Sequence, residues 1–277
     1  MIYYLSVQEV LPMRKKLRFI LLVIALLVFC LSTFHLAKDT WQTIKTAETS
    51  RNLSALIIDT ETPPVVPTDK VVSKSDSEKM MEKYGKLYNR NNDFIGWLDI
   101  DGTDIHYPVM QSVAEPEKYL ELNFDLQPDY AGTLFVDARC DLVPDHISTN
   151  TIIYGHHMKN GTMFGTLSRF EDPDFCRDHC IIRFDTIYRP GTYLLFAVIM
   201  SQVPEDDPSQ EEDMYYNFIN AEKESSLKSY LENLQQCSVY YDESCEPHFG
   251  DEILTLSTCN YHTENGRLAL IAVRNMP

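Results

Sequence analysis

From Asp93 onward the chain reads as short runs rich in β-branched and aromatic residues: FIGWLDI, DGTDI, HYPVM, AGTLFVDA, NTIIYG, CIIRFD, TYLLFAVIM, DEILTLSTC and RLALIAVR. Turn residues separate them. Runs of this length and spacing predict a mainly β protein with seven or eight strands in a closed or nearly closed barrel. Asp101 and Gly102 predict a tight turn between two of the strands. One stretch breaks the rhythm. Pro204 to Gln236 is first acidic (PEDDPSQEED) and then helical in character, with Ile219, Leu227, Tyr230, Leu231 and Leu234 available for one apolar face. It predicts a helical insertion between two strands, ahead of the strand that ends in Cys259. On the other side of the barrel sequence, Ser75 or Asp76 can cap a helix through Glu78, Met81, Tyr84 and Leu87 to about Asn89.

The N-terminal part follows different rules. Phe19 to Leu31 (FILLVIALLVFCL) is continuously apolar, and extension to Ala37 reaches the length that crosses hydrocarbon as a helix. The preceding RKKLR is a positive-inside flank, so the orientation places the N-terminus in the cytoplasm and the remainder outside the cell. No small-x-small cleavage site precedes Lys38, which favours a retained anchor over a cleaved signal. Residues 1–18 then form a cytoplasmic tail, 19–37 the anchor, 38–74 a stalk and 75–277 the folded domain. The stalk includes TETPPVVPTD, whose prolines fix an extended path. Met1 and Met13 are both open as the start.

The formal charge is −17, and because residues 1–18 carry a local +3, the rest of the chain stands at −20. So acidic a body argues against nucleic acid, whose phosphates need clustered Lys and Arg. The seven cysteines, at 30, 140, 176, 180, 237, 245 and 259, are too few and too odd in number for a disulfide scaffold. Mostly reduced thiols are expected. Cys176, His179 and Cys180 form a CRDHC cluster, but no second half of a zinc site stands at suitable spacing, so neither a metal nor another cofactor is expected.

Two short stretches can carry chemistry. ILTLSTC ends in Cys259, and a polar turn, YHTENG, leads to Arg267 at the start of RLALIAVR. A hairpin would return Arg267 to the sheet edge that holds Cys259, where positive charge favours the attacking thiolate. NTIIYGHHM is an apolar strand ending in Gly155, His156 and His157. An imidazole at such a loop mouth suits proton transfer, and strand alternation lets one of the pair face the thiol. His156 is the choice. Arg274 is set aside as a rival to Arg267, because its odd spacing puts it on the opposite strand face.

TLSTC with an arginine eight residues on, YGHH about a hundred residues upstream and an N-terminal anchor resemble the sortase family. NDFIGWLDIDGTDIHYPVMQ, YGHHMKNGTMFGTL and the helical insertion narrow the resemblance to class B sortases, over about residues 78 to 276. The resemblance implies an eight-stranded β-barrel. It implies a cysteine transpeptidase of the Gram-positive surface that cuts the sorting signal of secreted proteins after its Thr, through a thioacyl intermediate. An amine of the peptidoglycan cross-bridge, or of its lipid-linked precursor, then takes the acyl group. Cys259 would be the nucleophile, His156 the acid and base, and Arg267 the support for the oxyanion or substrate carbonyl. Leu120 in KYLELNF falls where the family places an apolar contact to the signal, and Ser257 shares a strand face with Cys259. L,D-transpeptidases carry SHGC with an arginine two residues after the cysteine, whereas Asn260 and Tyr261 follow here. Papain-like enzymes place Cys before His. A plain hydrolase on this scaffold and, from a different class, an inactive surface binding module are the alternatives.

Overall fold

Residues 7–58, 75–202, 214–260 and 266–275 are described by the structure, a computed structural model, with backbone alone at positions 7–16, 35, 39, 259 and 260. The Pro-rich stretch 60–69, the acidic stretch 204–213, the turn 261–265 and Met1 lie outside the described residues. The chain divides into two units, Met1–Lys45 and Thr46–Pro277. The first consists of most of helix α1 (Val7–Ser54). One helix among the described residues, Leu17–Ser54, is long and apolar enough to cross a membrane, with a mean hydropathy of 2.7 in its most apolar window.

In the second unit, Ser75 caps helix α2 (Asp76–Arg90) through a reciprocal box: its hydroxyl accepts from the Glu78 N–H at 3.3 Å, and the Glu78 carboxylate accepts from the Ser75 N–H at 2.8 Å. The helix buries Met80, Tyr84 and Leu87, while Met81 is 36% exposed, so the apolar stripe starts one residue earlier than the sequence pattern placed it. Two adjacent methionines serve the pattern equally well, and packing against Phe94 and Trp97 of the following strand selects Met80. Leu53, at the end of α1, is buried in the same cluster.

Strands β1 (Phe94–Ile100) and β2 (His106–Met110) form the first hairpin. DGTDI, read above as one of the β runs, is its connection: Gly102 takes a φ of +76°, and the Thr103 hydroxyl donates to the Ile100 carbonyl at 2.7 Å. Next come β3 (Leu134–Val136), the two-residue pair β4 (Leu142–Val143) and β5 (His146–Ile147), β6 (Asn150–Tyr154), β7 (Ile181–Thr186) and β8 (Thr192–Gln202). A short helix α3 (Pro173–Asp178) precedes β7. After β8 the described chain resumes with a turn at Tyr215–Asn217, helix α4 (Glu224–Cys237) and strand β9 (Ser238–Tyr241). Strands β10 (Ile253–Asn260) and β11 (Gly266–Arg274) complete the sheet.

The sheet order is β11-β10-β6-β3-β2-β1-β7-β8-β9, and β11 also pairs with β8. That last pairing closes eight strands into a barrel and leaves β9 as an addition on β8. Pairing is antiparallel except for β2 with β3 and β6 with β10, which run parallel. The barrel interior is filled by residues such as Leu98, Val109, Leu134, Phe164, Leu256 and Leu270. On the outer side of β10 and β11, helix α4 buries Leu227, Tyr230, Leu231 and Leu234 against Ile253, Ala269 and Ile271. The expected helical insertion therefore covers the face opposite the barrel core. Ile219 precedes the helix and packs against the barrel-core cluster. Alternation along β10 sends Leu254 and Leu256 to the interior and Ile253 to the outer side.

Candidate active site

The parallel register of β6 and β10 pairs Tyr154 with Ser257. Beyond it the two strands stay joined, with the Gly155 N–H donating to the Ser257 carbonyl at 3.2 Å and the Thr258 hydroxyl donating to the Gly155 carbonyl at 2.7 Å. His156 and Cys259 therefore lie at the same end of neighbouring strands. On the far side of β10, Cys259 is the Cα partner of Arg267 in β11. Backbone topology alone brings all three positions to one edge of the barrel.

The glycine of YGHH is required by space. A Cβ on Gly155 would sit 2.4 Å from Leu134 Cδ2 and 2.7 Å from Phe164 Cδ2, both side chains of the packed core. Gly155→Ala is expected to lower stability by about 1–3 kcal/mol through overpacking. Thermal unfolding checks the effect, and a variant as stable as the unaltered protein would refute the steric reading.

An open groove of about 1110 Å³ runs over this edge, lined by Leu120, Asp137, Tyr154, His156, Ser257 and Arg267, with Glu117 at an exposed position. Leu120 contributes in two ways. Its side chain is 37% exposed, and its carbonyl lies 2.8 Å from Nε2 of His156. A carbonyl only accepts, so Nε2 carries a proton in this contact and, in the neutral ring, Nδ1 is the acceptor. The exposed Tyr130 ring stacks on the imidazole at 6.1 Å with an interplanar angle of 11°. His157 instead bridges to Met163 through its backbone. Ser257 lines the groove but is 2% exposed, and its hydroxyl lies 2.6 Å from the Tyr215 hydroxyl. Arg274 belongs elsewhere: it donates to the Pro190 carbonyl at 2.6 Å and lies 3.6 Å from Glu252.

Asp137, which follows β3, is a groove residue the sequence reading passed over. Burial favours its neutral form, but hydrogen bonds and charge from Arg139 outweigh that and hold the carboxyl below the usual carboxylate range. The Tyr154 hydroxyl donates to the same carboxylate at 3.0 Å. The available signal was the run FVDARC, in which an acid and an arginine two residues apart follow an apolar strand.

The other thiols are differently placed. Among the described cysteines, six are free; burial pushes Cys140 and Cys176 up to about 12 and raises Cys237 as well. The CRDHC side chains have separate partners, with Cys176 donating to the Phe170 carbonyl and His179 Nδ1 lying 3.0 Å from the Asp101 carbonyl.

No family model matches the sequence. The chain is 32% identical over 186 residues to sortase B of Listeria monocytogenes, covering 66% of this chain and 70% of that protein. It is 30% identical over 197 residues to sortase B of Staphylococcus aureus, covering 70% and 75%. The chain belongs to the sortase B family. The solved S. aureus sortase B–substrate complex is similar in fold, with a TM-score of 0.60, 27% identity and coverage of 72% of this chain and 91% of that one. As a sortase B, the protein is a cysteine transpeptidase, and the closed eight-stranded barrel and its N-terminal helix are the family's architecture. The groove edge joins β6, β10 and β11, with position 259 paired to position 267 across it.

Proposed function

We propose that this sortase cuts the sorting signal of secreted proteins and joins them to an amine of cell-wall peptidoglycan, with Cys259 as nucleophile, His156 as acid and base, and Arg267 as the cation beside the reacting carbonyl. The observation that carries the reading is the strand register: Cys259 opposite Arg267, and Ser257 opposite Tyr154 with Gly155 and His156 next in the chain. The relative of known structure bound to its substrate supports a peptide as ligand.

In the first step the Cys259 thiolate adds to the scissile carbonyl, and the C–N bond breaks as protonated His156 gives its proton to the departing amine. In the second step the acceptor amine attacks the thioester, neutral His156 takes the amine's proton, and the thiolate leaves. Two easier barriers replace one hard one, and Arg267 stabilises the oxyanion that forms in each. Leu120 and the Ser257 side of the groove would hold the signal.

The apolar helix supports a single-pass anchor, with the RKKLR flank in the cytoplasm, residues 38–74 as a stalk whose Leu53 end packs into the folded domain, and residues 75–277 outside. The full-length enzyme in detergent should be incubated with a labelled peptide library randomised around a central threonine, with and without triglycine. Triglycine-bearing product, with cleavage after threonine, is expected. Cleavage that yields only hydrolysed product in the presence of triglycine would replace transfer by hydrolysis.

A further inference from the structure

The turn Tyr215–Asn217, which follows the insertion's acidic stretch, touches both halves of the catalytic edge. The Tyr215 hydroxyl meets the Ser257 hydroxyl at 2.6 Å, and both residues are buried. Arg139 donates to the Tyr216 carbonyl at 2.7 Å and to Asn217 Oδ1 at 3.2 Å while it forks onto Asp137 at 3.0 and 2.7 Å. Asp137 in turn accepts from the Tyr154 hydroxyl. Ser257 stands two residues before Cys259, and Tyr154 stands two residues before His156. One short turn thus braces the position two before the nucleophile and the position two before the acid and base.

Fold maintenance alone does not require these bonds at this place. The same segment is fastened independently at the other end of the strands: the Asn150 N–H donates to the Ile219 carbonyl at 2.9 Å, Asn150 Nδ2 to the Phe218 carbonyl at 2.9 Å, and the Ala221 N–H to Thr149 Oγ1 at 3.0 Å. Tyr215 also packs in the cluster beneath α4 through its ring, which Phe would preserve. The hydroxyl of Tyr215 and the fork of Arg139 act where the strands leave their paired register and must still hold two reacting groups at a fixed separation.

We infer that Tyr215 and Arg139 are positioning residues for the transpeptidase reaction, bracing β10 and β6 against the Tyr215–Asn217 turn so that Cys259 and His156 stay aligned. The inference rests on Cys259 being the nucleophile. A displacement of an ångström or less at reacting groups is costly to rate while leaving a peptide groove able to bind.

Full-length Tyr215→Phe and Arg139→Lys variants test it, each with the peptide best cleaved from the library and triglycine as acceptor. Lysine keeps the charge beside Asp137 but cannot fork to the turn as well. Each variant is expected to lose about tenfold in kcat with KM within about twofold. The pH midpoint for iodoacetamide modification of Cys259, followed by peptide mass spectrometry, is expected to shift. A lowered unfolding temperature with unchanged kcat and unchanged alkylation profile would overturn the inference, as would a loss carried by KM alone, which would make these groups substrate contacts. Cys259→Ala run in parallel separates the two levels: if it turns over, the nucleophile assignment fails whatever Tyr215→Phe does.

Discussion

Cys259→Ala is expected to reduce transfer of labelled peptide to triglycine by ~10⁴-fold or more, and to abolish the thioacyl adduct that mass spectrometry of the unaltered enzyme should trap. The size of the effect follows from covalent catalysis. Without the sulfur neither the thioester nor the second, easier barrier exists, and the groove can only hold the peptide. Peptide binding should survive, since the lining from Leu120 to Tyr154 is untouched. The deeply buried Cys140 and Cys176, with thiols pushed up to about 12, cannot substitute at neutral pH. Adduct formation that persists in Cys259→Ala would move the nucleophile elsewhere.

Arg267→Ala is expected to cost about 10²–10³-fold in kcat, the usual range for loss of one oxyanion-stabilising donor. Position 267 is set by the hairpin register opposite Cys259, and its neighbours Leu268 and Leu270 are locked in the barrel core, so the side chain's removal should leave the backbone in place. Arg267→Lys distinguishes the two possible contributions. If fixed fork geometry matters, lysine recovers little; if a nearby positive charge suffices, it recovers most of the rate. An Arg267→Ala enzyme with undiminished kcat would remove this residue from the chemistry. Arg274→Ala serves as the contrast, expected to act on stability through its bonds to Pro190 and Glu252 at a different part of β11.

The barrel was legible because its strands carry strong local signatures. Runs such as TYLLFAVIM and RLALIAVR are too long and too apolar for surface loops, and each became a central strand with buried residues on both faces. Helix α4 was legible for the same reason, its four buried residues falling at helical spacing. β9 was missed because SVYY is short and Val239 stays 42% exposed, so no apolar pattern marks it. The phase of α2 slipped by one because Met80 and Met81 are chemically alike. Within the site, the chain positions 156, 259 and 267 stood out through their motifs. The Leu120 carbonyl could not stand out, since a backbone acceptor has no side-chain signature. Nor could the Tyr215 and Arg139 contacts, which join segments 42 and 78 positions apart and arise from how the insertion packs onto the sheet.

The parallel pairing of β6 with β10 has a temporal consequence. Gly155 and Thr258, which hydrogen-bond at the groove, are 103 positions apart in the chain, and no tight turn can bring parallel strands together. Arg267 lies later still, on the strand whose pairing with β8 closes the barrel. Positions 156, 259 and 267 therefore come to one edge only when the last two barrel strands join the sheet, and contacts so distant in sequence form late and slowly. On the proposed assignment of Cys259, His156 and Arg267, activity is expected to appear only once β11 has joined β10 and β8.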